Sequence, residues 1–316
     1  MRTIAATRVG VIAFGLAAVS LMPLRAQLST LTEIFLDPAD LAGRTVPGGG
    51  PEAVEFDGTY VWVAEQFDNT VTRLDALTGL RLGTFAVGER PVALLRVGPT
   101  LWVANLESDT VTKLRTFDGA VLGTFRVGDG PGGLAFDGTN LWVANRNSHT
   151  VSKVSGDGTV LARFQVGRRP LNLVYDGASL WVVNNRSDTV FKLRPSDGAI
   201  LRTVRVGDGP FDILFDGSSI WVSNFFSGTV MKIRPFDGAV LATYRTGDGA
   251  AGLAADATSL WVANHGRSTV TRLDRVSGTV IATYASGRGP FGVAFDGRNV
   301  WVANFGSSSL STTLPR

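Results

Sequence analysis

The amino-acid sequence predicts an all-β protein, a seven-bladed β-propeller of four-stranded antiparallel blades. The first observation is seven tryptophans at spacings of 39 or 40 residues. The second is that each unit splits into four short apolar or alternating segments, separated by Asp-Gly and Gly-Pro turn signals. The third is that helical periodicity is absent beyond residue 26. The tryptophans are Trp62, Trp102, Trp142, Trp181, Trp221, Trp261 and Trp301.

The first 26 residues have the pattern of a secretory signal peptide. Two arginines precede an apolar stretch from about residue 9 to 24, and Ala26 is a small residue at the expected cleavage point. Ser20 and Pro23 interrupt the stretch, which is shorter than the roughly 20 residues of a membrane span. We therefore expect a secreted or periplasmic domain of residues 27–316 without a membrane span; an uncleaved anchor is the alternative.

Composition narrows the function classes. The chain has no cysteine, which excludes disulfides and thiolate chemistry, and its two histidines, His149 and His265, make a multi-histidine metal site unexpected. The net charge of +3 matches three arginines in the first 26 residues, where no acidic residue lies. The mature domain is thus close to neutral, and we expect no nucleic-acid partner.

Residues 131–167 illustrate the repeated unit. Strands are predicted at 131–136, 141–145, 150–154 and 160–167, with turn residues between them. The second segment is apolar at every position, as expected of a strand covered on both faces by stacked blades. Its tryptophan has apolar strand neighbours, which favours packing between blades over the alternative of a sugar-stacking ring.

Closure of the ring can also be predicted. The last unit ends in its third strand, at residues 309–316, so the N-terminal region must supply the fourth. Residues 40–51 align with residues 120–131, which predicts an outer strand at 41–46. Residues 30–35 resemble a third strand as well, but we favour the C-terminal segment for that place.

The repeated pattern P-x-G-L-A-F-D-G-x-x-L-W-V-A-N-x-x-S-x-T-V-x-K-L resembles the repeats of bacterial YVTN and NHL-type β-propellers. The resemblance covers roughly residues 28–316 and implies the propeller fold. It implies no single activity, because such propellers include enzymes, electron-transfer subunits and binding modules.

The units are more distantly similar to those of streptogramin (virginiamycin B) lyases. That resemblance implies an elimination that opens a cyclic depsipeptide ester, with a histidine base and Mg²⁺ held by acidic residues. His265 is the candidate base here. Where the family tends to end its second strand in an acidic residue, this chain has Glu65 once and otherwise Asn105, Asn145, Asn184, Asn224, Asn264 and Asn304. Acidic Mg²⁺ ligands are therefore not evident, and we expect no cofactor.

Candidate binding residues are those that break the repeat near one mouth of the ring. The predicted set is Glu52, Glu65, Asn172, Asp212 and His265. We expect these residues to hold a small polar ligand, a peptide or a protein, although a merely solvated loop face is the alternative. The sequence thus favours a monomeric, non-catalytic binding or interaction module, with the metal-dependent lyase as the second hypothesis.

Overall fold

The computed structural model describes residues 29–30, 32–35 and 49–313. These residues form seven β-sheets whose first strands pack side by side around a central channel, with the last sheet against the first. The predicted seven-bladed β-propeller is confirmed. Within the described ranges, no helix is long and apolar enough to cross a membrane.

The strands follow each other in chain order, and each blade runs from the channel outward. Two short strands come first, β1 (Ser29–Thr30) and β2 (Thr32–Phe35). Blades 1 to 3 comprise β3 (Pro51–Phe56), β4 (Tyr60–Glu65), β5 (Thr70–Asp75), β6 (Arg81–Ala86), β7 (Pro91–Val97), β8 (Thr100–Asn105), β9 (Thr110–Arg115), β10 (Val121–Arg126), β11 (Pro131–Phe136), β12 (Leu141–Asn145), β13 (Thr150–Val154) and β14 (Val160–Gln165). Blades 4 and 5 comprise β15 (Pro170–Tyr175), β16 (Leu180–Asn184), β17 (Thr189–Leu193), β18 (Ile200–Arg205), β19 (Pro210–Phe215), β20 (Ile220–Asn224), β21 (Thr229–Ile233) and β22 (Val240–Arg245). Blades 6 and 7 comprise β23 (Ala250–Ala255), β24 (Ser259–Asn264), β25 (Thr269–Asp274), β26 (Val280–Ala285), β27 (Pro290–Phe295), β28 (Val300–Asn304) and β29 (Ser309–Thr312), with 3-10 turns at His265–Arg267 and Phe305–Ser307.

The tryptophans fill the space between blades, as predicted. All seven are at most 5% exposed. Trp142 of blade 3 packs in one apolar cluster with Leu173, Leu180 and Leu193 of blade 4. A side chain of this size buries about 150–250 Å², which at about 25 cal/mol/Å² contributes several kcal/mol per blade before conformational entropy is counted.

Each tryptophan is also fixed by the turn that precedes it. Asp137 Oδ1 accepts the backbone N–H groups of Thr139 and Asn140 at 2.8 and 2.7 Å, and its Oδ2 accepts the indole N–H of Trp142 at 2.8 Å. The same indole–carboxylate bond recurs in blades 1, 4, 5, 6 and 7 at 2.7–2.8 Å. Blade 2 turns at Gly98–Pro99 instead and has no aspartate there.

A cation on the third strand ties each of blades 1 to 5 to the blade that follows it. Lys153 Nζ lies 5.2 Å from the ring centroid of Trp142 and donates to the carbonyl oxygen of Pro195 in blade 4, at 3.1 Å. Lys113, Lys192 and Lys232 make equivalent contacts. In blade 7 the equivalent residue is Thr312, so the seam between blades 7 and 1 must be held in another way.

The N-terminal segment pairs with strands of blades 6 and 7, and the seam between blades 7 and 1 is packed by an apolar cluster that includes Trp301, Val54 and Val61. β2 pairs antiparallel with β29, from Thr32 opposite Thr312 to Phe35 opposite Ser309, and is the outer strand of blade 7. The predicted N-terminal closing strand is therefore confirmed, as is the C-terminal third strand. The predicted position of the outer strand was wrong: residues 32–35, rich in β-branched and aromatic residues that favour strands, occupy it, and residues 41–46 lie outside the described residues. β1 pairs in parallel with β26 of blade 6.

Candidate ligand site at the channel mouth

The first strands surround a cavity of about 360 Å³ along the axis of the ring. At one mouth, two sets of side chains meet. The first set is the second residue of each first strand: Glu52, Val92, Gly132, Leu171, Phe211, Ala251 and Phe291. The second set directly follows each second strand: Gln66, Leu106, Arg146, Asn185, Phe225, His265 and Phe305. Because these positions vary in an otherwise regular repeat, they determine the chemistry of the mouth.

Polar groups of blades 1 and 3 meet at this mouth. Nη2 of Arg146 lies 3.9 Å from Oε1 of Glu52, and both side chains are largely buried, with 15% and 13% exposed. Gln66 Nε2 donates a hydrogen bond to Oε2 of Glu52. Burial raises the pKa of Glu52, and Arg146 and Arg90 oppose that rise. The pair therefore puts a carboxylate and a guanidinium side by side at the cavity wall.

Arg146 has unused hydrogen-bonding capacity. Its side chain lies over Gly132, where a β-carbon would collide with Nε. Nε is buried without a hydrogen-bond partner, and Nη2 faces Glu52 at 3.9 Å, beyond hydrogen-bond distance. Burial lowers the pKa of Arg146, the charge of Glu52 opposes that change, and the positive charges of Arg169 and Arg90 lower the pKa further. A buried N–H donor without a hydrogen bond is costly, so this group is suited to an anionic partner.

Aromatic rings of blades 5, 6 and 7 line the other side. We call this set the aromatic arc: Phe211, Phe225, His265, Phe291 and Phe305. The ring centroids of His265 and Phe291 are 4.2 Å apart, those of Phe211 and Phe291 5.5 Å, and those of Phe211 and Phe225 5.7 Å. All five residues are partly exposed. Burial lowers the pKa of His265, which favours the neutral imidazole.

Asn172 and Asp212 lie in the channel wall, where they join three blades. Asn172 Nδ2 donates to Oδ1 of Asp212 at 2.5 Å, and the backbone N–H of Ile213 donates to the same oxygen at 2.8 Å. Oδ2 accepts the backbone N–H of Leu253 in blade 6 at 2.8 Å. Burial raises the pKa of Asp212 to about 6. Both oxygens are thus engaged within the protein, although the two side chains line the cavity.

Glu65 is apart from the other predicted residues. It occupies the place of the repeated asparagine and is only 3% exposed. Thr70 Oγ1 donates a hydrogen bond to its Oε2 at 3.2 Å. The equivalent pair in blade 2 is also bonded, with Asn105 Nδ2 donating to Thr110 Oγ1 at 3.1 Å. Burial raises the pKa of Glu65. The structure therefore brings Glu52, Asn172 and Asp212 to one cavity and His265 to its mouth, but leaves Glu65 between strands.

The sequence analysis missed Arg146, Phe225 and Glu55. Burial raises the pKa of Glu55 to about 7, with Arg96 opposing, and Glu55 lines the same cavity. The signal for Arg146 was available: the residue after each second strand changes from Gln66 to Arg146 to Phe225 along the repeat. A comparison of this position across all seven repeats would have identified the residues that surround the mouth.

The described side chains do not fit the Mg²⁺ implied by the lyase resemblance. Magnesium requires several free oxygen ligands in octahedral geometry. The oxygens of Asp212 are occupied by Asn172, Ile213 and Leu253, and Glu52 faces Arg146. Across the described ranges, no three acidic or histidine side chains cluster as metal ligands would.

Comparisons with known proteins support the fold. No protein-family model and no curated protein matches the chain. A chain of the Kuenenia stuttgartiensis hydrazine synthase matches with 21% identity and a TM-score of 0.76, over 86% of this chain and 98% of that chain. A streptogramin B lyase matches with 18% identity and a TM-score of 0.76, over 89% of this chain and 96% of that one. At such identities the likeness is one of fold alone, and the YVTN and NHL-type repeat assignment stays a prediction.

Proposed function

We propose that this protein is a non-catalytic binding propeller that holds a small polar ligand at the channel mouth. The observation that carries the proposal is Arg146, which lines a 360 Å³ cavity and whose buried Nε has no hydrogen-bond partner among the described residues. Cavities of about 300–1,000 Å³ are typical of small-molecule sites, which combine apolar walls with a few placed polar groups. Glu52, Phe211 and Phe291 line this cavity, and the other rings of the aromatic arc lie against these two phenylalanines.

A lyase is the less supported function. A general base must reach the proton it removes and usually has a polar partner that orients it. His265 instead contacts the rings of Phe225 and Phe291, at 5.7 and 4.2 Å between centroids. This environment suits a neutral ring that packs against a ligand better than a base that acts with a metal ion.

A thermal-shift screen of small acids, bases and neutral polar compounds tests the proposal, with isothermal titration calorimetry of each hit. We expect ligands to be found and Arg146→Gln to weaken them at least tenfold. The matched control is Arg202→Gln, which removes the same charge from the exposed outer strand β18. A full screen without a ligand, or equal binding by Arg146→Gln, would contradict the proposal.

We also propose that the protein is exported, on the strength of residues 1–26. Intact-mass analysis of protein expressed with these residues is expected to give a chain that begins near Gln27. A mature protein that retains the apolar stretch would contradict cleavage and support the anchor instead.

A further inference from the structure

We propose that the ligand is a small planar aromatic monocarboxylate, with its carboxylate on Arg146 and its ring against the aromatic arc. This inference rests on the proposed binding function and specifies the chemical class. It combines two features of one mouth, a guanidinium with an unpartnered Nε on the side of blades 1 to 4 and a continuous set of rings on the side of blades 5 to 7.

The anionic half follows from Arg146. A guanidinium presents a planar fork of N–H donors that matches the two oxygens of a carboxylate. The 3.9 Å separation from Glu52 is too long for a hydrogen bond, so these donors are free to turn toward a ligand. Arg90 and Arg169 lie close enough to influence the charge of Arg146 and add to the positive potential.

Glu52 limits the number of negative charges that the ligand can carry. Its carboxylate stands beside Arg146 and is held by Gln66. A second carboxylate on the ligand would meet this like charge in a poorly solvated place, and such repulsion is a common basis of selectivity. Monocarboxylates are therefore favoured over dicarboxylates.

The aromatic half follows from the geometry of the rings. Phe211 of blade 5 and Phe291 of blade 7 are stacked, with an angle of 13° between their planes, although blade 6 lies between them. Blade 6 has Ala251 at the corresponding position, and this small side chain leaves the space that the two rings share. The rings of His265 and Phe305 lie against Phe291 at 4.2 and 5.6 Å. Faces and edges of several rings are thus available for offset or edge-to-face contact with another ring.

Ligand size follows from the cavity. At about 360 Å³ the cavity is near the lower end of the range for small-molecule sites. Part of that space lies along the channel, between the first strands. One ring or two fused rings with a short acidic arm match this volume, whereas a folded peptide segment does not.

Three probes of matched size test the class by calorimetry: phenylacetate, cyclohexylacetate and phenylacetamide. We expect phenylacetate to bind most tightly. Cyclohexylacetate keeps the charge and the size but lacks the π-system, and its Kd is expected to be about fivefold higher. Phenylacetamide keeps the ring but lacks the charge, and its Kd is expected to be at least tenfold higher.

Two variants test whether the ring of the probe binds at the aromatic arc and its carboxylate at Arg146. Phe291→Leu is expected to weaken phenylacetate about fivefold and to leave cyclohexylacetate unchanged, whereas Phe117→Leu, at an exposed loop 78% accessible to solvent, changes neither. Arg146→Gln is expected to weaken both acids at least tenfold and to leave the amide unchanged. If Phe291→Leu does not fold, Phe225→Leu removes a neighbouring ring of the same arc.

The outcomes separate this inference from the proposed function. If the screen finds ligands that need Arg146 but phenylacetate and cyclohexylacetate bind equally, the aromatic class is overturned and the binding function stands. Equal binding of the acid and the amide overturns the anionic half. A peptide as the tightest ligand also overturns the class, and a protein that binds no small molecule overturns both proposals.

Discussion

Glu52 and Arg146 face each other at the channel mouth with Oε1 and Nη2 3.9 Å apart, although they belong to blades 1 and 3. Blade 2 lies between these two blades, and its residue at the position equivalent to Glu52 is Val92, which is 5% exposed. Contact across an intervening blade is a consequence of the ring, which turns separate loops toward one axis. The chemistry of the mouth is therefore a property of pairs of blades that are not neighbours in the sequence.

Removal of the charge on Glu52 is expected to strengthen binding of a carboxylate ligand. In Glu52→Gln, Arg146 no longer has a competing anion, so we expect the Kd for an acid that binds wild type to fall several-fold in calorimetry. Glu89→Gln removes a charge from an exposed loop of the same face and serves as the control. Weaker binding by Glu52→Gln than by wild type would show that Glu52 contacts the ligand directly.

Asp212 is expected to make the stability of the fold depend on pH. Its pKa in the folded chain is raised to about 6, whereas an aspartate in an unfolded chain titrates near 3.9. The native state thus keeps the proton when the unfolded state has lost it, and stability falls as pH rises from about 4 to about 6. The loss is at most about 3 kcal/mol.

The measurement is urea unfolding of wild type and Asp212→Asn between pH 4 and 7. The difference in free energy of unfolding between the two proteins should change across this interval in favour of the variant as pH rises. A carbon-13 NMR titration of the Asp212 carboxyl gives the midpoint directly. A midpoint near 4, or a difference independent of pH, is incompatible with the prediction.

The aspartate in the turn before six of the seven tryptophans is expected to be important for stability. Asp137→Ala removes the acceptor of three hydrogen bonds, including that of the buried indole N–H of Trp142. We expect a loss of about 1–3 kcal/mol in urea unfolding, because a buried donor is left without a partner. Asp129→Ala changes an exposed aspartate before the same blade and should have little effect. Equal stability of the two variants would argue against the assignment.

The N-terminal strands are expected to keep blade 7 closed. Deletion of residues 29–35 removes β1 and β2, which leaves the edge of β29 unpaired. We expect the deletion to speed amide hydrogen exchange at Ser309–Thr312 and to lower the Tm. Addition of a synthetic peptide of residues 27–36 is expected to slow the exchange again. Unchanged exchange in the deleted protein would mean that another segment covers this edge.

His265 is expected to have no catalytic role. Incubation of the protein with a cyclic depsipeptide ester and Mg²⁺ should leave the ring intact in mass spectrometry, because His265 lies among aromatic rings. A Mg²⁺-dependent ring opening that His265→Ala abolishes would establish the lyase hypothesis and reject the non-catalytic one.

Periodicity predicted the fold almost completely, because each blade repeats the same local rules. The position of Trp142 and the apolar second strand follow from one unit and apply to the other six, and the turn at Asp137 recurs in every blade except blade 2. The site was predicted only in part. Glu52 and Asp212 could be found as departures from the repeat, but the partners of each, Arg146 and Leu253, come from other blades.

Such pairings depend on side-chain length and on the radius of the channel, which a linear pattern does not contain. Arg146 reaches Glu52 because position 132 is glycine and leaves its path open. Glu65 shows the opposite case: it departs from the repeat in charge, yet it takes the structural place of asparagine and bonds to Thr70 as its counterparts do. A departure in sequence therefore indicates a difference in chemistry, but not where that chemistry acts.

The pairing of β2 with β29 has a consequence for how the protein is made. During synthesis Thr32–Phe35 leave the ribosome long before their partners Ser309–Thr312. The earlier segment therefore waits as an unpaired strand while the intervening blades assemble. Contacts of such long sequence separation are slow to form, so we expect the last blade to limit the folding rate.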